Sequence, residues 1–209
     1  MDSLNFKIYY ITDNYLSIED NLKVIHSFLN NKNLDKVAIQ VRYPSLNDSD
    51  YFAFAKEVKS IVKNKVKLFI NDRIDMLELL NFDGIHLKDF SLPITEVVRY
   101  LNKKFIIGKS AHRTESIFHL QNSGIDFVTY SPIYETESKK KYLKPLGVDS
   151  LSNYIDKITI PVIPLGGITM NNIDEVVKNF KYVGGIKLFS QSSDLNNTIN
   201  TILNKLGEL

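Results

Sequence analysis

Strand-length apolar runs, rich in β-branched residues, recur eight times along this chain, at 7–12, 36–42, 66–71, 84–87, 105–108, 127–130, 162–165 and 183–188. Segments with helical spacing alternate with them, at 21–30, 51–62, 75–80, 94–101, 115–121, 148–154, 173–180 and 195–206. In the first of these, Leu22, Val24, Ile25, Phe28 and Leu29 fall on one side of a helical repeat. Asn171 or Asn172 and Asp194 stand where the N-caps of the last two helices belong. Several strand runs are nearly continuous in hydrophobicity, as strands covered on both faces are. Alternation of strand and helix makes the strands parallel and the crossovers right-handed. An open doubly wound sheet would carry a Gly-rich first turn, whereas the turn here, Thr12-Asp13-Asn14-Tyr15, contains no glycine. No linker or low-complexity tract interrupts the pattern. It predicts one α/β domain over residues 1–209, a (β/α)8 TIM barrel.

Composition narrows the function classes. Lys+Arg 26 against Asp+Glu 24 leaves a net charge of +2, a near-balance and not the basic surface of a nucleic-acid binder. Zero cysteines exclude a disulfide scaffold, a thiolate metal site and a cysteine nucleophile, and they fit a reducing compartment. The polar start runs straight into a strand, which predicts no signal peptide. Every apolar run falls short of the roughly 18 residues a membrane span needs. The expectation is a cytoplasmic protein with neither membrane nor nucleic acid as partner.

In such a barrel the chemistry sits where strands end. Strand two ends Gln40-Val41-Arg42, and alternation puts Gln40 and Arg42 on the face toward the barrel mouth. A buried arginine needs an anion: phosphate and carboxylate suit its fork, and an internal salt bridge to Asp72 or another carboxylate is the structural alternative. Asp72, at the end of strand three, could hold a metal or a ligand nitrogen, or cap the next helix. His112 lies just past strand five, where an imidazole exchanges protons near neutral pH. His26 and His119 lie in helical patterns, and His86, inside strand four, reads as a hydrogen-bonded core residue. Gly166, Gly167 and Ser190, after strands seven and eight, read as a phosphate cradle. Residues 131–147 form a polar connection much longer than the usual βα loop. It is a candidate lid or ligand clamp, and its Lys139-Lys140-Lys141 run is either a second anion grip or a solvated face.

Taken in order, Tyr10-Ile11-Thr12-Asp13, Gln40-Val41-Arg42, Ile70-Asn71-Asp72-Arg73 and Asp83-Gly84-Ile85-His86-Leu87 form the first half of a set. Gly108-Lys109-Ser110-Ala111-His112, Ser131-Pro132-Ile133-Tyr134 and Leu165-Gly166-Gly167-Ile168 complete it. No single piece is diagnostic, but the ordered set, over about 8–190, resembles the thiamine phosphate synthase/TenI family of (β/α)8 barrels. The resemblance implies one of two activities. Synthases join a pyrimidine diphosphate to a thiazole phosphate with Mg2+ and release diphosphate. TenI-like tautomerases aromatise the thiazole phosphate carboxylate by proton transfer, with no cofactor. Carried over by position, the resemblance implies that Arg42 and Asn71 contact diphosphate, that Gln40 lies near the pyrimidine, and that Asp72 binds Mg2+ if synthase activity is retained. It implies further that Ser110, Thr136, Ser138 and Lys139 line the substrate pocket, that Gly167 and Ser190 hold the thiazole phosphate, and that His112 is the proton-transferring residue of a tautomerase.

Four positions depart from the family's synthases. Pro44 stands where they carry lysine, Ser91 where they carry a second metal-binding aspartate, Glu135 where proline is usual, and Ser138 in place of threonine; Asp89 lies two residues from Ser91. Losing one carboxylate and one lysine from a diphosphate clamp removes two contributions, each worth ~10²–10³ in rate by analogy with other preorganised groups. Tautomerisation needs only a phosphate anchor and an acid/base, and both are retained. The expectation is therefore a TenI-like thiazole tautomerase working through His112. A synthase with a rearranged metal site and a non-catalytic thiazole or thiamine phosphate-binding paralogue stand as alternatives. Homo-oligomerisation through exposed helices is left open.

Overall fold

The computed structural model describes residues 4–136 and 143–209. Each apolar run becomes a parallel strand: β1 (Ile8–Ile11), β2 (Val37–Val41), β3 (Lys67–Asn71), β4 (Gly84–Leu87), β5 (Ile106–Ala111), β6 (Phe127–Tyr130), β7 (Val162–Pro164) and β8 (Val183–Gly185). The α-helices are α1 (Ile18–Phe28), α2 (Asp48–Val62), α3 (Ile74–Leu79), α4 (Ile94–Leu101), α5 (Thr114–Leu120), α6 (Ile173–Asn179), α7 (Lys187–Ser190) and α8 (Leu195–Lys205). Hydrogen-bonded neighbours run β8-β1-β2-β3-β4-β5-β6-β7. The last seam closes by packing: a Cβ on Gly184 would stand 2.9 Å from the Pro164 carbonyl and 2.5 Å from the Leu165 side chain. The chain is a (β/α)8 TIM barrel, as the alternation predicts.

Strand parity divides the core. Inward residues Tyr9, Ile11, Ala38, Phe69, Phe127 and Ile163 form one buried cluster with Phe6 and Tyr182. Outward residues such as Ile8, Ile39, Val41, Ile70, Ile85 and Val128 pack instead with the helix residues Ile25, Phe54, Val58 and Ile117. Inside the barrel, Tyr9, Phe69 and Phe127 meet edge to face at centroid distances of 5.4–5.5 Å, each pair worth about 0.5–1.5 kcal/mol beyond its burial. Glycines make the room. A Cβ on Gly108 would stand 2.2 Å from Cζ of Phe127, and one on Gly84 would stand 2.5 Å from Phe69 and 2.3 Å from the Ile106 carbonyl.

Three elements differ from the sequence expectation. The 183–188 run stops as a strand at Gly185, because Ile186 (φ −108°, ψ −79°) turns the chain into the short helix α7. Val148–Lys157 forms 3-10 turns and not an α-helix. Asn172 does stand at the N-cap position of α6 but makes no capping bond; its amide joins Gly167 O and Thr169 N instead. Asp194 caps α8 as expected, accepting from Asn197 N at 2.9 Å. Among the described residues no helix is long and apolar enough to cross a membrane.

Candidate functional site

Each strand ends at the same mouth, and polar bonds stitch neighbouring ends together around it. Loop one joins strands eight and two. Asp13, buried, accepts from Tyr15 N and from the Ser190 hydroxyl at 2.8 Å, while Asn21 brackets its backbone from α1. The next residue, Asn14, accepts from Arg42 Nη1 at 2.9 Å. Between strands two and three, the Tyr51 hydroxyl donates to Val41 O at 2.7 Å and accepts from Asn71 N. Burial pushes that hydroxyl's pKa up, and its two bonds tie together the strand ends that lead into Arg42 and Asp72.

Arg42 does not pair with Asp72, which corrects the salt-bridge alternative. Among the described residues its one side-chain partner is the neutral Asn14 amide. Burial lowers the guanidinium pKa from its ordinary value, yet arginine remains a cation in proteins. Gln40, two residues earlier, is 1% exposed, and its Oε1 has no hydrogen-bond partner among the described residues. Asn71 is buried beside it, its amide reaching His86 O only at 3.4 Å. His86 is the buried core residue the sequence predicts, with Nε2 2.9 Å from Thr129 Oγ1.

Asp72 does not cap α3, whose N-cap position is Arg73, with no side-chain cap. It sits at φ 61°, accepts from the Ser91 hydroxyl and pairs through Oδ2 with Lys88 Nζ at 2.7 Å. Lys109 anchors the loop that brings these partners: buried on the outer face of β5, it donates to the carbonyls of Lys88 at 2.7 Å and Asp89 at 3.2 Å. Desolvation lowers its pKa. No group of three His, Cys, Asp or Glu side chains converges among the described residues.

On the far side, His112 Nδ1 lies 2.6 Å from Ser131 O. A carbonyl only accepts, so Nδ1 carries the proton and the neutral ring keeps its lone pair on Nε2. Ser110 lies two residues before it on β5, on the parity of Gly108. Loops six and seven are zipped by Ile133 N to Leu165 O at 2.8 Å and Tyr134 N to Gly166 O at 3.0 Å. Gly166 (φ 95°) and Gly167 (φ 67°) are required there: a Cβ on the second would stand 2.6 Å from Cβ of Tyr134 and 2.8 Å from Glu135 O. Their N–H groups, with that of Ile168, donate to no acceptor among the described residues. Thr136 ends the described part of loop six; Ser138, Lys139 and the rest of the lysine run lie outside the described residues.

Strand-end reasoning brought Arg42, Asn71, Asp72, His112, the glycine pair and Ser190 to one end of the barrel. It missed Asp13, Asn14, Lys88 and Lys109. Asp13 and Asn14 follow strand one directly, so inspecting that strand end as the others were inspected would have found them. The pairing of Lys88 with Asp72 crosses two loops and leaves no local signal.

The geometry defines a (β/α)8 barrel whose mouth offers, among the described residues, a cation held by one neutral amide on one side and backbone donors without an acceptor on the other, a class suited to phosphorylated ligands. Comparison with known proteins narrows the class. A family model described as thiamine monophosphate synthase matches residues 8–187, and this chain belongs to that family. It is 37% identical over 185 residues to "Putative thiamine-phosphate synthase 2" of Aquifex aeolicus (strain VF5), covering 88% of this chain and 97% of the other. It is 30% identical to "Thiamine-phosphate synthase" of Clostridium novyi (strain NT), covering 96% and 98%. The solved "Thiamine phosphate pyrophosphorylase from Pyrococcus furiosus" shares the fold, with a TM-score of 0.83 over 98% of this chain and 97% of that one, at 22% identity.

These relatives carry the synthase name and not that of TenI, which overturns the expectation of the tautomerase branch. That expectation weighed the lysine and carboxylate missing at Pro44 and Ser91 as lost charge and did not foresee that Lys88 Nζ reaches Asp72 Oδ2 at 2.7 Å.

Proposed function

We propose that this protein is a thiamine-phosphate synthase, coupling a pyrimidine diphosphate to a thiazole phosphate and releasing diphosphate. The observation that carries the reading is Arg42: a half-buried cation at the mouth, held by one neutral amide, is preorganised for an anion that arrives with substrate. Family membership supplies the reaction type.

In the coupling, the carbon–oxygen bond to diphosphate breaks and its electron pair leaves with the diphosphate, while the thiazole nitrogen forms the new carbon–nitrogen bond. Negative charge grows on the leaving group, and Arg42 stabilises it where it grows, with Asn71 as a neutral donor beside it. Gln40 Oε1, an unmet buried acceptor, suits an amino group on the pyrimidine. The N–H groups of Gly166 and Gly167 hold the thiazole phosphate. Ser190 contributes less directly, because its proton is engaged by Asp13. Ser110 and Thr136 complete the walls. His112, tied to Ser131 O, joins strand five to strand six.

The family's Mg2+ fits this chain poorly. Ser91 replaces the second carboxylate, and both oxygens of Asp72 are already engaged, by Lys88 and Ser91. The coupling above is therefore derived from the chain's own groups. Purified protein given both substrates should form thiamine phosphate. Failure at high enzyme concentration, with and without Mg2+, would discard the reading.

A further inference from the structure

We propose that Lys88 is a diphosphate-binding residue that supplies, at Asp72, the positive charge a bound cation would otherwise bring. The assignment rests on the synthase reading for the identity of the leaving group, but on the structure for the site.

Three observations support it. Lys88 Nζ stands 2.7 Å from Asp72 Oδ2, so an ammonium already occupies the carboxylate's cation-binding side. Ser91 donates to the other oxygen, which turns a would-be pair of acidic ligands into one neutralised carboxylate with a hydroxyl. The backbone of Lys88 is pinned from beneath, through its carbonyl, by Lys109, while its side chain is 60% exposed. A lysine with a fixed base and an exposed side chain can keep its ammonium at Asp72 and donate its remaining N–H bonds to an incoming polyanion. The Tyr51 hydroxyl ties Val41 O to Asn71 N, the residues just before Arg42 and Asp72, so the two cations can grip one diphosphate from the ends of strands two and four. Asp72 then serves to position the lysine.

The test is calorimetric binding of inorganic diphosphate in EDTA. Wild type should bind without added metal. Lys88→Met should bind roughly 10–100-fold more weakly, the value of a lost charge-assisted bond, with an unchanged melting temperature, and Lys88→Arg should retain most of the affinity. Wild-type binding that requires Mg2+, or Lys88→Met binding like wild type in EDTA, overturns the assignment. If the Lys88 dependence holds but no thiamine phosphate forms in any condition, the lysine site stands and the synthase reading falls.

Discussion

At the scale of single residues, the mouth shows polar groups whose protons are already assigned. The Ser190 hydroxyl donates to Asp13, and one O–H cannot donate twice. It can therefore donate to a bound phosphate only by turning away from Asp13, and the backbone N–H groups carry the anion. Ser190→Ala should then raise KM for the thiazole phosphate only about 3–10-fold, the scale of one net hydrogen bond, with kcat held. Steady-state kinetics decides it; a rise of several hundredfold would show the hydroxyl to be a principal phosphate donor. Arg42 and Ser190 were legible in the sequence because each ends a recognisable strand run. Asp72 was legible as a residue but not in its role, since its partners arrive from a loop 16 and 19 residues further on.

At the scale of elements, strand number and order followed from hydrophobic runs, because parallel strands buried on both faces have no polar alternation to obscure them. Their ends were less legible. The 183–188 run stays apolar while the backbone changes at Ile186, and composition does not register a dihedral. The inward glycines, by contrast, have a testable steric meaning. Gly84→Ala would place a methyl 2.3 Å from the Ile106 carbonyl as well as against Phe69, so strand spacing must give. Overpacking of this kind costs about 2 kcal/mol, roughly 4–8 °C in Tm for a chain of this size. A thermal melt checks it; an unchanged Tm would mean that the β4–β5 seam yields freely.

At the scale of the whole molecule, the C-terminal tail ties together the entries of the first two strands at the end of the barrel opposite the mouth. Glu208 accepts from Lys7 at 2.8 Å and Lys36 at 2.9 Å, the residues that lead into β1 and β2. Bonding to Lys7 and then Lys36 holds its carboxyl below the ordinary glutamate range. A carboxyl whose folded pKa is depressed stabilises the fold above its unfolded pKa of about 4.3 and loses that contribution as pH falls through the folded value. Melts of wild type and Glu208→Gln should accordingly differ at pH 7, with wild type higher, and converge only as pH falls below the depressed folded pKa of Glu208; the gap should also shrink with added salt. A gap that persists in acid would assign the effect to packing. Nothing local announced this contact, which joins positions 7, 36 and 208 only in the closed barrel.

A coupling reaction driven by charge at the mouth is tested most directly by following both products at once. In a time course with both substrates, wild type should release one diphosphate for each thiamine phosphate formed, and Arg42→Met should slow both together by ~10²–10³ while remaining folded. Diphosphate released without thiamine phosphate, or an Arg42→Met rate equal to wild type, would contradict it.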